Sequence, residues 1–99
     1  MFSQQKLVEF IERDISNMRL SKMLRDKRLK SGLTQAELGE ALGYRSGQFV
    51  SSWEKGMSRP PKEKVLPLCR LLGLSETKLQ SALIEDAMRK VKSKWAQEN

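Results

Sequence analysis

Apolar residues recur along this chain at steps of three and four, the spacing of one α-helix face, and no period-two run is long enough for a strand. Leu7, Ile11, Ile15 and Met18 make the first such face. Leu20, Met23 and Leu24 fall on a different side if that helix simply continues. A break is therefore expected near Ser16–Asn17, where either residue can cap a second helix running from about Asn17 to Lys30. Ser31-Gly32 ends it. Thr34 then occupies an N-cap position with Glu37 three residues later, the pattern of a capping box. The helix it opens, Gln35–Leu42, turns Leu38 and Leu42 inward and stops at Gly43. After the turn Gly43–Gly47, another short helix is predicted from about Ser46 to Lys55. Val50, Trp53 and Met57 face inward on it, and Gly56 closes it.

Ser58-Arg59-Pro60-Pro61 reads as a rigid extended link. The next helix carries Val65, Leu68, Cys69 and Leu72 on one side and ends at Gly73. Its start is placed near Lys64, so that Pro67 falls in the first turn and avoids the ~3 kcal/mol cost of an interior proline. Ser75 caps a last helix, Glu76 to about Trp95, with Glu76 well placed against the helix dipole. The chain thus divides into an N-terminal helix (1–19), a tight central unit (20–79) and an extension of the last helix (80–99). An all-α fold follows.

Ninety-nine residues give room for one small domain. A single cysteine and no histidine exclude a disulfide framework, a zinc finger and a Ser-His-type triad. No metal, nucleotide or paired-carboxylate constellation is present: Glu85 and Asp86 are adjacent on a helix and point different ways. The reading is therefore a non-enzyme without cofactors. No apolar run reaches the ~20 residues that span a bilayer, and Glu9, Glu12 and Asp14 interrupt the start where a signal peptide would be apolar. A cytoplasmic protein with no membrane partner is expected. Nineteen Lys and Arg against twelve Asp and Glu give a net charge of +7, which points to a polyanion. The excess is local. Lys22, Arg25, Lys27, Arg28 and Lys30 face only Asp26 within 20–33, and Arg59, Lys62, Lys64 and Arg70 face only Glu63 within 57–75. Between them, Arg45 and Lys55 are outnumbered by Glu37, Glu40 and Glu54.

Two short helices joined by a Gly-containing turn, inside a basic helical domain, form the pattern of a helix-turn-helix. The residues sharpen this. Arg28-Leu-Lys-Ser-Gly-Leu-Thr-Gln-Ala-Glu-Leu38, Leu42-Gly43, Val50-Ser51, Trp53-Glu54-Lys-Gly56, Pro60 and the stretch Leu68 to Leu74 together resemble the Cro/C1-type (XRE) helix-turn-helix family of bacterial and phage regulators. The resemblance spans roughly Leu20 to Leu79. It implies a five-helix, lambda-repressor-like domain that binds operator DNA, usually as a dimer on a palindrome, here with an additional N-terminal helix and an extended C-terminal one. Two positions depart from the family pattern. Gly39 stands where the family usually has alanine, and the stretch from Gly43 to Val50 is one residue longer than the commonest spacing.

Within that frame, residues outward on the second short helix are base-reading candidates. Gln48 leads, since a carboxamide can bond adenine at N6 and N7 together. Arg45 reads guanine or holds a phosphate, and Ser46 and Ser52 bond bases or phosphates. Phe49 flanks the apolar face: it packs on a thymine methyl or folds back on Tyr44. Gln35 resembles the family glutamine that contacts a phosphate and braces the recognition helix, with Thr34 beside it at a helix N-terminus. Lys55, Ser58, Arg59 and Lys62 follow as phosphate contacts, which set affinity and register but not sequence choice. Arg28 and Glu54 each interrupt an apolar face. Lone buried charges are costly, so the two are expected to meet as a structural ion pair. Cys69 belongs to the core.

The last helix turns Leu79, Ala82 and Leu83 toward the core, while Ile84, Met88, Val91 and Trp95 drift away from it. They either close the bundle against the first helix or form a dimer interface by two-fold symmetry. The function expected is a sequence-specific, double-stranded-DNA-binding transcriptional regulator, a homodimeric repressor at the nucleoid. The alternative is an antitoxin or interaction module whose C-terminal helix holds a second protein such as a toxin.

Overall fold

The computed structural model describes residues 19–98. Among them lie five α-helices and no strand: α1 over 19–30, α2 over Gln35–Ala41, α3 over Gln48–Glu54, α4 over Val65–Leu72 and α5 over Glu76–Glu98. The helix expected through Leu7, Ile11, Ile15 and Met18, and its break at Ser16–Asn17, lie outside the described residues.

Each helix sends its apolar stripe into one core. Leu20 and Leu24 come from α1, Leu38 from α2, Val50 and Trp53 from α3, Val65, Leu68 and Leu72 from α4, and Leu79 and Ala82 from α5. Leu42 joins them from the C-cap of α2. Burying a Leu- or Val-sized side chain contributes roughly 1.5–3 kcal/mol, and Trp53 is the largest of the fully buried ones. Met23, Leu33, Tyr44, Cys69, Leu74 and Leu83 pack against this cluster from its rim. Burial, with the charge of Glu76 nearby, pushes the Cys69 thiol above its ordinary pKa, which suits a packing role over a reactive one.

Local signals set the helix ends. The Thr34 hydroxyl accepts the Glu37 amide at 3.0 Å, and the Glu37 carboxylate accepts the Thr34 amide at 3.0 Å, so two otherwise unpaired amides are satisfied. These bonds hold the Glu37 carboxyl below its ordinary range. A turn of 3-10 helix, Lys62–Lys64, leads into α4, and Pro67 is the third residue of that helix. Its missing N–H has no intrahelical partner to lose there. Gly73 ends α4 with φ 64°, a left-handed backbone suited to glycine.

Three boundaries differ from the spacing. α3 begins at Gln48 and not near Ser46, because Ser46 and Gly47 still belong to the turn packed on α2. Met57, expected inward as the i+7 continuation of Val50, is 73% exposed. α3 has already ended at Glu54, and Gly56 at φ 73° redirects the chain. α5 runs past Trp95 to Glu98, about 34 Å of helix.

Candidate nucleic-acid interface

The crossing of α2 and α3 rests on two glycines. A Cβ at Gly39 would lie 2.2 Å from the Ser46 carbonyl oxygen, and one at Gly47 would lie 2.6 Å from the Gln35 carbonyl carbon. Both obstacles are backbone, so neither can rotate aside. The turn between the helices lays its Ser46 carbonyl directly over α2, and only glycine leaves room beneath it.

An ion pair then fixes the far end of α3. Arg28 Nε donates to Glu54 Oε2 at 2.7 Å and Nη2 to Oε1 at 2.9 Å, while Nη1 donates to the Leu33 carbonyl at 2.8 Å. Gln35 Nε2 donates to the same Glu54 Oε1 at 3.2 Å. One carboxylate at the end of α3 is thus held from α1 and from the start of α2. Bonding to Glu54 and the attraction of its charge outweigh desolvation and raise the Arg28 pKa, so the guanidinium stays charged. Gln35 is half-buried in this arrangement, its amide nitrogen turned toward Glu54.

With that side anchored, α3 presents Gln48 and Phe49 to solvent, preceded by exposed Arg45 and Ser46 and followed by exposed Lys55. The Ser46 hydroxyl accepts the Gln48 backbone N–H at 3.3 Å, a long local bond ahead of the Gly47 N-cap. Ser52 and Ser58 are hydrogen-bonded to each other through their hydroxyls at 2.7 Å, tying the second half of α3 to the loop after it. Thr34 has its hydroxyl in the capping box. Arg59 and Lys62 are both exposed on the loop leading to α4.

Phe49 does not enter the core. Its ring lies 4.5 Å from that of Tyr44, centroid to centroid, yet the residue is 54% exposed. Tyr44 in turn meets Trp53 edge-on at 6.0 Å. The Lys64 ammonium sits 5.0 Å over its ring and donates to the Leu42 carbonyl, at the end of α2, at 2.6 Å. Burial and the nearby charge of Glu63 push the Tyr44 phenol above its ordinary pKa.

Sequence reasoning passed over two of the residues around this face. Lys64 gives no signal in the sequence, since its role depends on where the turn Gly43–Gly47 lies. Asp86 could have been found: it continues the Leu79–Ala82–Leu83 spacing on the docking face of α5. It is buried there, with Arg89 at 2.8 Å and both Arg59 and Lys90 at 3.7 Å. Arg59, on the loop that follows α3, is thereby tied to α5. Arg19 pairs with Glu85 and links α1 to the same helix.

On roughly the opposite side of α5, Ile84, Met88, Val91 and Trp95 are each more than half exposed. Their steps of four, three and four residues draw a single seam along the helix. A groove of about 570 Å³ beside it is lined by Pro60, Val65, Leu66, Leu83 and Ala87, with Arg59 and Lys62 at its rim. No helix among the described residues is long and apolar enough to cross a membrane.

A family model described as a helix-turn-helix domain matches residues 19–82, most of the chain. The match runs from α1 into α5 and includes the whole α2–turn–α3 unit. The chain belongs to the helix-turn-helix domain family, whose fold is a DNA-binding one. Comparison with curated proteins and with solved structures found no match.

Proposed function

We propose that this chain is a sequence-specific transcriptional regulator of the Cro/C1 type, a homodimeric repressor that reads a palindromic operator through the major groove. The observation that carries the reading is the way α3 is held. Glu54 is gripped by Arg28 and Gln35 on its inner side, and the opposite side leaves the neutral Gln48 exposed beside Arg45. A short, rigid helix with a polar outer face suits a groove about 12 Å wide. The basic stretches before and after it supply charge for phosphates, with Arg59 and Lys62 on one flank and the start of α2, at Thr34 and Gln35, on the other. Arg45, Ser46, Gln48, Phe49 and Ser52 form the reading set. Lys55 and Ser58 add backbone grip.

The seam on α5 supports the dimer. It lies away from the core of the described residues, and a two-fold axis would pair each residue with the same patch on a second copy. The competing partner, the helix expected through Leu7, Ile11 and Ile15, lies outside the described residues. Residues 20–79 are then the DNA-binding domain and 80–99 the assembly element. Selection of bound sequences from random duplex DNA tests the whole reading. Two inverted half-sites about 34 Å apart are expected, and failure to enrich any sequence would overturn it.

The same exposed seam and the neighbouring groove favour a second reading, an antitoxin or interaction module that holds another protein on α5. Acrylamide quenching separates the two. Trp95 shielded in the isolated chain supports self-association, whereas shielding only after a second protein is added supports the module.

A further inference from the structure

Resting on the reading of α3 as the groove-entering helix, we infer that Phe49 recognises the C5-methyl group of a thymine, so that the operator carries a preferred thymine in each half-site. Phe49 is the large apolar residue on the outward part of α3, between Gln48 and Ser52. A ring left 54% exposed beside a well-formed core gives up stabilisation that burial would supply. Here it does so in a fixed place. The Tyr44 ring backs it at 4.5 Å, and Tyr44 is itself held by the Trp53 edge and by Lys64, whose ammonium is bonded to the Leu42 carbonyl. The outer face of Phe49 is therefore presented without being free to fold inward.

In the major groove the one apolar feature on a base edge is the thymine methyl. A hydrogen-bonding group gains nothing from it, but a preorganised aromatic face does. Gln48, next to Phe49 on the first turn of α3, reads an adenine by its two-pronged bond, and Phe49 covers the methyl of a neighbouring thymine. The Phe49 contact distinguishes thymine from cytosine and from uracil by one methyl group.

The test uses the full chain and the duplex it selects. Replacing the half-site thymine by deoxyuridine removes the methyl and preserves every base-pairing edge. Expected is about fourfold weaker binding for one half-site and about fifteenfold for both, from the transfer value of one buried methyl. Phe49→Ala should bind the thymine and deoxyuridine duplexes equally, and Phe49→Leu should keep part of the difference. Equal binding of both duplexes by the unaltered protein overturns the inference, whether or not the variants fold. A full thymine preference retained by Phe49→Ala overturns it too, since another residue then reads the methyl. So does a selected half-site without thymine. These results leave the regulator reading intact, whereas absence of any sequence-selective binding removes both.

Discussion

Arg28 and Glu54, 26 positions apart, are joined by two parallel bonds of 2.7 and 2.9 Å, with side chains only 9% and 5% exposed. Two-pronged geometry, a third Arg28 bond to Leu33 and the Gln35 bond to Glu54 offset much of the cost of removing both charges from water. Removing one partner strands the other. Glu54→Ala is expected to destabilise the fold by about 3–5 kcal/mol, and the double change Arg28→Met with Glu54→Leu by much less. Urea denaturation measures both; a single-variant loss under about 1 kcal/mol would show that the pair does not hold α3.

Gly39→Ala should lower stability, although alanine gains about 1 kcal/mol over glycine in a helix interior. The new methyl meets the Ser46 carbonyl at 2.2 Å, and relieving that contact requires α2 and the turn to separate. Overpacking of this kind costs about 1–3 kcal/mol or more. A raised melting temperature would contradict the close approach.

Gln48→Ala and Arg59→Ala should fail in different ways. The first is expected to lose about 1–3 kcal/mol of discrimination at one operator position. The second should weaken all sequences alike and reduce the salt slope by about one. A changed base preference in Arg59→Ala would rule out its phosphate role.

Tyr44 is the chain's one tyrosine, so ultraviolet titration of phenolate reads it alone. Burial favours the neutral phenol, and the midpoint should lie above the ordinary value of 10.0. The corresponding stability is present below the unfolded pKa and is lost as pH rises through the folded one. Glu37 acts in the opposite sense: its lowered pKa gives stability above the ordinary 4.5 that is lost as pH falls through the folded value. Phe49→Ala should bring the Tyr44 midpoint back toward 10.0; an unmoved midpoint would mean that Phe49 does not shield the ring.

Val91→Glu places a charge in the middle of the α5 seam, far from the core. Analytical ultracentrifugation should find a dimer for the unaltered chain and a monomer for the variant, with the circular dichroism of both alike. A dimer that survives the change would move the interface elsewhere.

Much of the fold could be read along the chain because its signals act over a few residues. Thr34 and Glu37 announce a capping box three positions apart, and Leu38, Val50 and Trp53 mark their inner faces by helical spacing alone. Arg28 and Glu54 could be matched across 26 residues because each interrupts an apolar stripe, and a buried charge needs an opposite one. Met57 shows where this reasoning fails: its spacing continued a helix that the backbone had already left.

The sequence by itself determined the five helices of the described residues to within a turn, the capping box at Thr34 and Glu37, the core stripe and the location of the excess positive charge. Hydrogen bonds within a turn and the period of a helix depend only on near neighbours. Tertiary structure alone decided that Gly39 must be glycine, that Arg59 reaches Asp86, that Lys64 closes over Tyr44, and that Phe49 stands half outside. Each depends on where separate segments come to rest against one another, which no local spacing specifies.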